Sequence, residues 1–340
     1  MKRNRKPVTI YDVAEAAGVS VSTVSRVLNN KVDVAADTFD KVQQIINELG
    51  FASSLAARGM RSHRTNVLGL IMPDVESLYS FAVLQGVNRA IAQLHYDLIV
   101  YTSGASLENT SAEREAYYVS LLNGSVTDGV IVVAPSAKNF STVAPVVAID
   151  PNNESPECPA VMSTNQVGAL QVMQYLTGLG HCRIGFITGR LDLVSAIRRL
   201  NGYKTGLAIA EIPLDEDLIQ IGDYSITTAV QLTHKLLALP DPPTAIFASN
   251  DMSAIGVYRA AEEAGIRIPE DLSVVGFDNL HDVAFLNPPL TTIDQFISDM
   301  GSIAVEMIVK LMKGETLATH IHKIPTQLVV RHSCIPPKNR

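Results

Sequence analysis

From Val67 onward the chain alternates seven short apolar runs with amphipathic stretches of helical period, and this alternation leaves few folds open. The runs are VLGLIM (67–72), DLIVY (97–101), DGVIVV (128–133), PVVAI (145–149), RIGFIT (183–188), AIFAS (245–249) and SVVGF (273–277). Near 81–94, 112–122, 166–179, 195–210, 227–238, 252–264 and 298–312, apolar residues recur at the spacing of one helix face. Strand–helix alternation of this kind implies parallel, doubly wound α/β sheets. A body of this length exceeds one comfortable core, so two lobes are expected.

Composition narrows the class further. Hydrophobic residues are 47% of the 340 and charged ones 18%, which excludes a disordered chain. No apolar run approaches the roughly 18 residues that span a bilayer. Lys2, Arg3, Arg5 and Lys6 are followed by Asp12 and Glu15 where a signal peptide needs its apolar stretch, so a cytoplasmic location is expected. Cys158, Cys182 and Cys334 are far apart, with no CxxC pair and no histidine at ligand spacing, so they read as free thiols, with no metal site and no cofactor.

Charge is unevenly placed. Through residue 65 there are ten Lys/Arg against six Asp/Glu, whereas the whole chain carries a formal −7. A basic head on an acidic body suggests that the head alone meets a polyanion. In that head, TIYDVAEAAGVSVSTVSRVLN (9–29) is punctuated as two short helices at a sharp turn. Thr9 and Asp12 form a helix-start signal, Gly18 can take the positive φ of the turn, and Ser20 can cap the second helix. Val13, Ala14, Val19, Val24, Val27 and Leu28 are the packing positions, leaving Val21, Ser22, Ser25 and Arg26 outward. Phe39, Val42, Ile45, Ile46 and Leu49 mark a third helix stopped by Gly50. An αα-hairpin without a nucleic-acid role has the same outline; the basic arm favours a helix-turn-helix that offers the start of its second helix to the DNA major groove.

The same string resembles the helix-turn-helix of the lactose-repressor (LacI/GalR) family of bacterial transcription regulators, matching T-x-x-D-V-A-x-x-A-G-V-S-x-x-T-V-S-R-V-L-N at every fixed position. The resemblance implies a double-stranded palindromic operator as partner. It places Thr9, Ser20, Thr23, Ser25 and Asn29 on the DNA face and makes Val21 and Ser22 the variable operator-reading pair. Arg26 would reach a base edge or a phosphate. The segment FASSLAARGMRSHRTN (51–66) resembles the family's hinge helix, which lies in the minor groove and wedges an apolar side chain between base pairs. That places the wedge at Met60, with Ala57 and Arg58 before it. Ser53-Ser54, Gly59 and Met60 depart from the family's usual Pro-Asn, Ser and Leu; Gly59 inside a helix costs about 0.5–1 kcal/mol relative to Ala, so the hinge is expected to fold less readily.

In doubly wound sheets ligands bind beyond the carboxyl ends of the strands, which directs attention to Asp74, Thr102, Asp150, Thr188, Asn250 and Asp278. Carboxylates and an amide converging on one cleft suit a hydroxyl-rich ligand such as a sugar, although Asp74 beside Pro73 and Asp150 beside Pro151 could be simple turns. No GxxxxGK[ST] or GxGxxG phosphate cradle is present.

GHCRIGFITG, RLNGYKTGL, PPTAIFASNDMSAIGV, IPEDLSVVGFDN and NPPLTTIDQ resemble the family's effector domain, whose fold is similar to that of periplasmic sugar-binding proteins. That resemblance implies effector contacts at Arg199, Asn250 and Asp278, and more variable ones at Asp150, Tyr79 and Tyr224. The family's common N-P-F-F is Ser77-Leu78-Tyr79-Ser80 here, and a frequent arginine is Ile197. The tail after Lys323 lacks a leucine heptad, so a homodimer is expected.

The expected architecture is therefore a helix-turn-helix domain over 1–53, a hinge over 54–65 and a bilobed effector and dimerisation domain over 66–340. Its N-subdomain would take about 66–164 and 294–324, its C-subdomain about 165–293 and 325–340. The expected function is a ligand-responsive repressor, with the ligand as inducer or corepressor, and a nucleobase or nucleoside as the alternative to a sugar. An enzyme with a DNA-binding head is disfavoured, with no catalytic residues assigned, because no GxSxG, HExxH or CxxC occurs. A transport binding protein is disfavoured by the basic head.

Overall fold

The computed structural model describes residues 8–28, 31, 33–51, 64–104, 110–124 and 126–338. The chain divides into two compact units between Thr65 and Asn66.

The smaller unit opens with α1 (Ile10–Ala17), set by a reciprocal capping box in which the Asp12 amide donates to Thr9 Oγ1 and the Thr9 amide donates to the Asp12 carboxylate at 2.7 Å. Gly18 ends it at φ 64°, a conformation a side chain resists. α2 (Val21–Leu28) follows Ser20, whose Oγ accepts from the Thr23 amide at 3.2 Å. α3 (Ala36–Leu49) stops at Gly50, φ 63°.

Val13, Ala14, Val24, Val27, Val42 and Ile46 are buried between the three helices, joined by Ile10 and Ala17, which the spacing had not singled out. Two expectations need correction. Leu49, in the last turn of α3, is 38% exposed instead of buried. Val21 is half-buried against the core, because three-residue helical spacing puts it on the face of Val24.

The larger unit contains two parallel sheets. In the first, β1 (Val67–Met72), β2 (Asp97–Thr102), β3 (Gly129–Val133), β4 (Val146–Ile149), β5 (Ala160–Ser163) and β11 (Ile321–Ile324) run in the order β11-β5-β4-β3-β1-β2. α4 (Leu78–Leu94) and α10 (Ile297–Met312) bury one face and α5 (Ser111–Leu122) the other. In the second, β6 (Ile184–Ile187), β7 (Ile219–Gln220), β8 (Ala245–Ala248) and β9 (Ser273–Val275) run in the order β7-β6-β8-β9. α6 (Asn165–Gly178) and α7 (Val194–Ile209) cover one face, α8 (Ile226–Leu237) and α9 (Asp251–Glu263) the other. Burial on both faces is why β1, β3, β4, β6 and β8 read as unbroken apolar runs.

The chain passes between the lobes three times, around 163–165, 295–297 and 324–327. Beside the second and third crossings, β10 (Thr292–Asp294) pairs antiparallel with β12 (Gln327–Val329). The crossings are tied to one another: Ser163 Oγ donates to Gln295 Oε1 at 2.6 Å, and the Thr326 amide donates to Thr164 Oγ1 at 2.9 Å. Among the described residues no helix is long and apolar enough to cross a membrane.

The closest helix crossing in the first lobe is made by glycines. A Cβ on Gly86 of α4 would lie 1.7 Å from the Ser298 carbonyl oxygen, and one on Gly301 of α10 would lie 2.4 Å from that of Val83. Gly86→Ala is therefore expected to push α4 off α10 and to destabilise the protein by about 2 kcal/mol or more, read as a fall in Tm.

Candidate functional site

At the start of α2 three hydroxyls form a cluster, with Ser20 Oγ 2.7 Å from Ser22 Oγ and 2.9 Å from Thr23 Oγ1. Ser22 and Arg26 are exposed, and Thr23 and Ser25 half-buried. The Thr9 hydroxyl is occupied by the capping box. Arg26 is paired with Asp33, its Nε donating to Oδ1 at 3.2 Å. Both side chains are about half exposed, so the pair is weak and exchangeable for a nucleic-acid acceptor. Asn29, Ala57, Arg58, Gly59 and Met60 lie outside the described residues.

Between the lobes of the larger unit, at the carboxyl ends of both sheets, lies a cavity of about 310 Å³. Tyr79, Asp150, Arg199, Tyr224, Asn250 and Asp278 all line it. Of the other strand-end residues, Asp74 lines it but spends Oδ1 on the Glu76 and Ser77 amides, as a turn would require. Thr102 and Thr188 do not line it; Thr188 is buried and donates to the Gly189 carbonyl at 2.8 Å.

Arg199, on α7, is 4% exposed and fixed on several sides. Its Nε donates to Asn165 Oδ1 at 2.8 Å, its Nη1 donates to the Ser249 carbonyl, and its guanidinium lies 4.0 Å above the centre of the Phe277 ring. Asp278 Oδ1 is 3.6 Å from Arg199 Nη1 and accepts from Gln295 Nε2 at 2.5 Å. Burial pushes the Asp278 carboxyl up to about 7 against the opposing pull of Arg199. Burial also raises Asp150, which has no side-chain hydrogen bond among the described residues and so offers its carboxylate to the cavity.

Asn250 is the N-cap of α9: its Oδ1 accepts from the Ser253 amide at 2.9 Å and its Nδ2 donates to the Tyr224 carbonyl at 3.3 Å. The Tyr79 and Tyr224 hydroxyls are buried without a well-formed hydrogen bond. Asp150, Tyr224 and Asp278 hold positive φ of 47°, 71° and 122°, so backbone strain gathers at this cavity.

The residues that hold this arrangement were not evident from sequence. Asn165, Gln295 and Phe277 position Arg199 and Asp278 from distant parts of the chain. Asn152, just past β4, reaches across the cleft: its Oδ1 accepts from the Val194 amide at 2.7 Å and its Nδ2 donates to the Asp192 carbonyl at 2.8 Å. It thereby caps α7, whose own N-cap residue, Leu193, has no side chain that can. Beside it Arg198 pairs with Glu154 at 2.5 Å. Strand-end position was the one signal available, and it pointed to Asn152 only as a neighbour of Asp150.

A carboxyl raised to about 7 in the fold from 3.8 when unfolded binds more protons folded than unfolded between those values. Its contribution favours the folded state at low pH and is lost as pH rises from about 4 through about 7. Asp278→Asn is therefore expected to flatten the Tm-versus-pH curve over that interval; an unchanged slope would remove Asp278 as its source.

Residues 9–54 match bacterial regulatory proteins of the lacI family, and residues 173–334 match the periplasmic binding protein-like domain. The chain is similar to the catabolite control protein A of Priestia megaterium, 30% identical over 333 residues, which span 96% of this chain and 99% of that protein. It is similar to the HTH-type transcriptional repressor PurR of Vibrio atlanticus, 31% identical over 330 residues, 95% and 97% of the two chains. Among solved structures it is similar to the lac repressor dimer bound to operator and the anti-inducer ONPF, with a TM-score of 0.85, 29% identity and 97% and 100% of the chains covered. It is also similar to a complex of the transcriptional regulator CelR with cellobiose, with a TM-score of 0.70, 29% identity and 96% and 99% covered. The helix-turn-helix, the two-lobed cleft and the full-length relatives agree: the chain belongs to the lacI family of bacterial regulatory proteins and is a DNA-binding transcription regulator with an effector domain, not an enzyme.

Proposed function

We propose that the protein is a cytoplasmic repressor that binds a near-palindromic operator as a homodimer and responds to a sugar or sugar derivative held between its lobes. Residues 1–53 supply the DNA-binding domain, 54–65 the hinge, and 66–340 the effector and dimerisation domain. The observation that carries the effector assignment is that Tyr79, Asp150, Arg199, Tyr224, Asn250 and Asp278 line one shared cavity. Asp150 and Asp278 accept from ligand hydroxyls, Arg199 donates to ligand oxygens, and the tyrosine rings cover apolar ring faces. A planar nucleobase is the second reading, favoured by the two tyrosine rings in the same cavity.

On the DNA side, Val21 and Ser22 read base edges, while Thr23, Ser25 and Asn29 sit near phosphates. Arg26 leaves Asp33 for a guanine edge or a phosphate. Thr9 and Ser20 shape the ends of the helix pair, and Arg58 and Met60 enter the minor groove. Ligand that binds one lobe arrangement more tightly shifts the population towards it, and operator affinity and ligand affinity are then coupled reciprocally.

Selection from random duplex DNA at two salt concentrations should enrich one inverted repeat. Retention without any motif would remove the sequence-reading role. Arg26→Ala is expected to lower affinity for the selected repeat about tenfold in a mobility-shift titration. Asp278→Ala is expected to abolish the ligand response with operator binding intact; loss of both together would argue against separate sites.

A further inference from the structure

α7 begins at Val194 without a cap of its own. Leu193, its N-cap residue, is extended at φ −101°, and a leucine side chain cannot accept from the amides that the first turn leaves open. The acceptor comes from the other lobe. Asn152 Oδ1 accepts from the Val194 amide at 2.7 Å while Asn152 Nδ2 donates to the Asp192 carbonyl at 2.8 Å, so one side-chain amide grips the turn at two backbone points.

Both ends of this bridge are fixed. In the first lobe the Asn152 amide donates to the Pro135 carbonyl at 3.1 Å, and the turn before it is set by Pro151 and by Asp150 at φ 47°. In the second lobe the Leu193 amide donates to the Arg190 carbonyl at 3.1 Å, and Arg190 pairs with Asp192 at 2.5 Å, which closes the loop that carries the Asp192 carbonyl. One turn along α7, Arg198 reaches back to the first lobe, pairing with Glu154 at 2.5 Å and placing its Nη1 3.5 Å from Met162 Sδ. Its neighbour is Arg199, the buried guanidinium of the cavity. Asn152, Arg190, Leu193 and Val194 line the cavity as well, so the bridge runs along the cavity wall.

These bonds belong to one arrangement of the lobes. When the lobes part, the Val194 amide loses its acceptor and the start of α7 is left to water. A helix capped from the opposite lobe is complete at its first turn only while the lobes are together. This follows from two side chains, a leucine at the N-cap and an asparagine facing it, and not from the order of the strands; a serine or aspartate at position 193 would cap α7 in either arrangement.

We infer that Asn152 is a positioning residue for the effector response: a clasp that ties the start of α7, and Arg199 with it, to the first lobe and so sets how often the lobes are closed before any ligand binds. Glu154 with Arg198 is the weaker half of the same clasp, since the Glu154 side chain is 69% exposed. The inference rests on the coupling between lobe arrangement and operator affinity proposed above. By that coupling, loosening the clasp alters operator affinity with no ligand present.

The test is mobility-shift titration of the ligand-free full chain against the selected repeat, with Tm and hydrogen exchange at the Val194 amide measured alongside. Asn152→Ala should change operator affinity about fivefold and speed exchange at Val194. Glu154→Gln should change affinity in the same direction by a smaller factor. Asn152→Asp keeps an acceptor for the Val194 amide but loses the donor to Asp192, and should fall between Asn152→Ala and the wild type. Leu193→Ser added to Asn152→Ala gives α7 a local cap; it should restore Tm and leave the operator shift in place, because a serine at 193 joins nothing to the first lobe. Unchanged operator affinity in Asn152→Ala, opposite directions in the Asn152→Ala and Glu154→Gln variants, or full rescue by Leu193→Ser would overturn the clasp and leave a local helix cap. If the wild type selects no repeat, the operator reading fails and Val194 decides on the clasp: an amide that exchanges as fast in the wild type as in Asn152→Ala would overturn it, and a slow one released by Asn152→Ala would sustain it.

Discussion

Moving a carboxylate out of water is costly unless the protein returns most of its lost hydration, and the effector domain is arranged around one such carboxylate. Asp278 is 6% exposed and held by the Arg199 guanidinium on one side and the Gln295 amide on the other. The compensation is incomplete, as the elevation of its carboxyl towards neutrality indicates, and its backbone is strained as well, at a φ of 122°. Arg199 is fixed in turn by Asn165, Ser249 and Phe277. The cleft thus keeps a strained, under-solvated acid in place at the expense of stability, which is what a site that must bind hydroxyls strongly would require.

The same contacts join the cleft to the crossings between the lobes. Gln295 donates to Asp278 and accepts from Ser163, so a ligand that changes what Asp278 bonds acts directly on two of the three connecting segments. On the opposite rim, Asn152 and Glu154 of the first lobe bind Val194, Asp192 and Arg198 of the second. A rotation of the lobes would trade these bonds for water, a modest free-energy change of the kind that can leave two arrangements accessible.

How much of this the sequence disclosed follows from which interactions are local. The seven apolar runs all form strands, most of them because a strand buried on both faces has to be apolar throughout, whereas the edge strand β2 is partly exposed. β5, β7, β10, β11 and β12 lie outside those runs: β7 has two residues, and β10 and β12 are defined by pairing with each other across more than thirty residues of chain. The helix-turn-helix was legible because caps and turns are written in adjacent residues such as Thr9, Asp12 and Gly18. The cleft residues were legible as strand ends and by resemblance. Gln295, Asn165 and Asn152 were not, since their meaning depends on partners 17, 34 and 40 or more residues away that no local pattern marks.

The order of elements along the chain also governs how the molecule is made. α10 and β11 complete the first lobe, yet they are translated after every helix of the second lobe. Until they emerge, the faces of β3, β4 and β5 that α10 covers have no partner, whereas the second-lobe sheet has both of its helical layers from a continuous stretch. The second lobe can therefore condense during synthesis while the first waits for contacts of very high sequence separation, the slow class of folding step. A nascent or C-terminally shortened chain ending before Ile297 would keep one lobe with both helical layers, lacking only its closing segment around Ser333 and Cys334, and one with a bare apolar face open to aggregation.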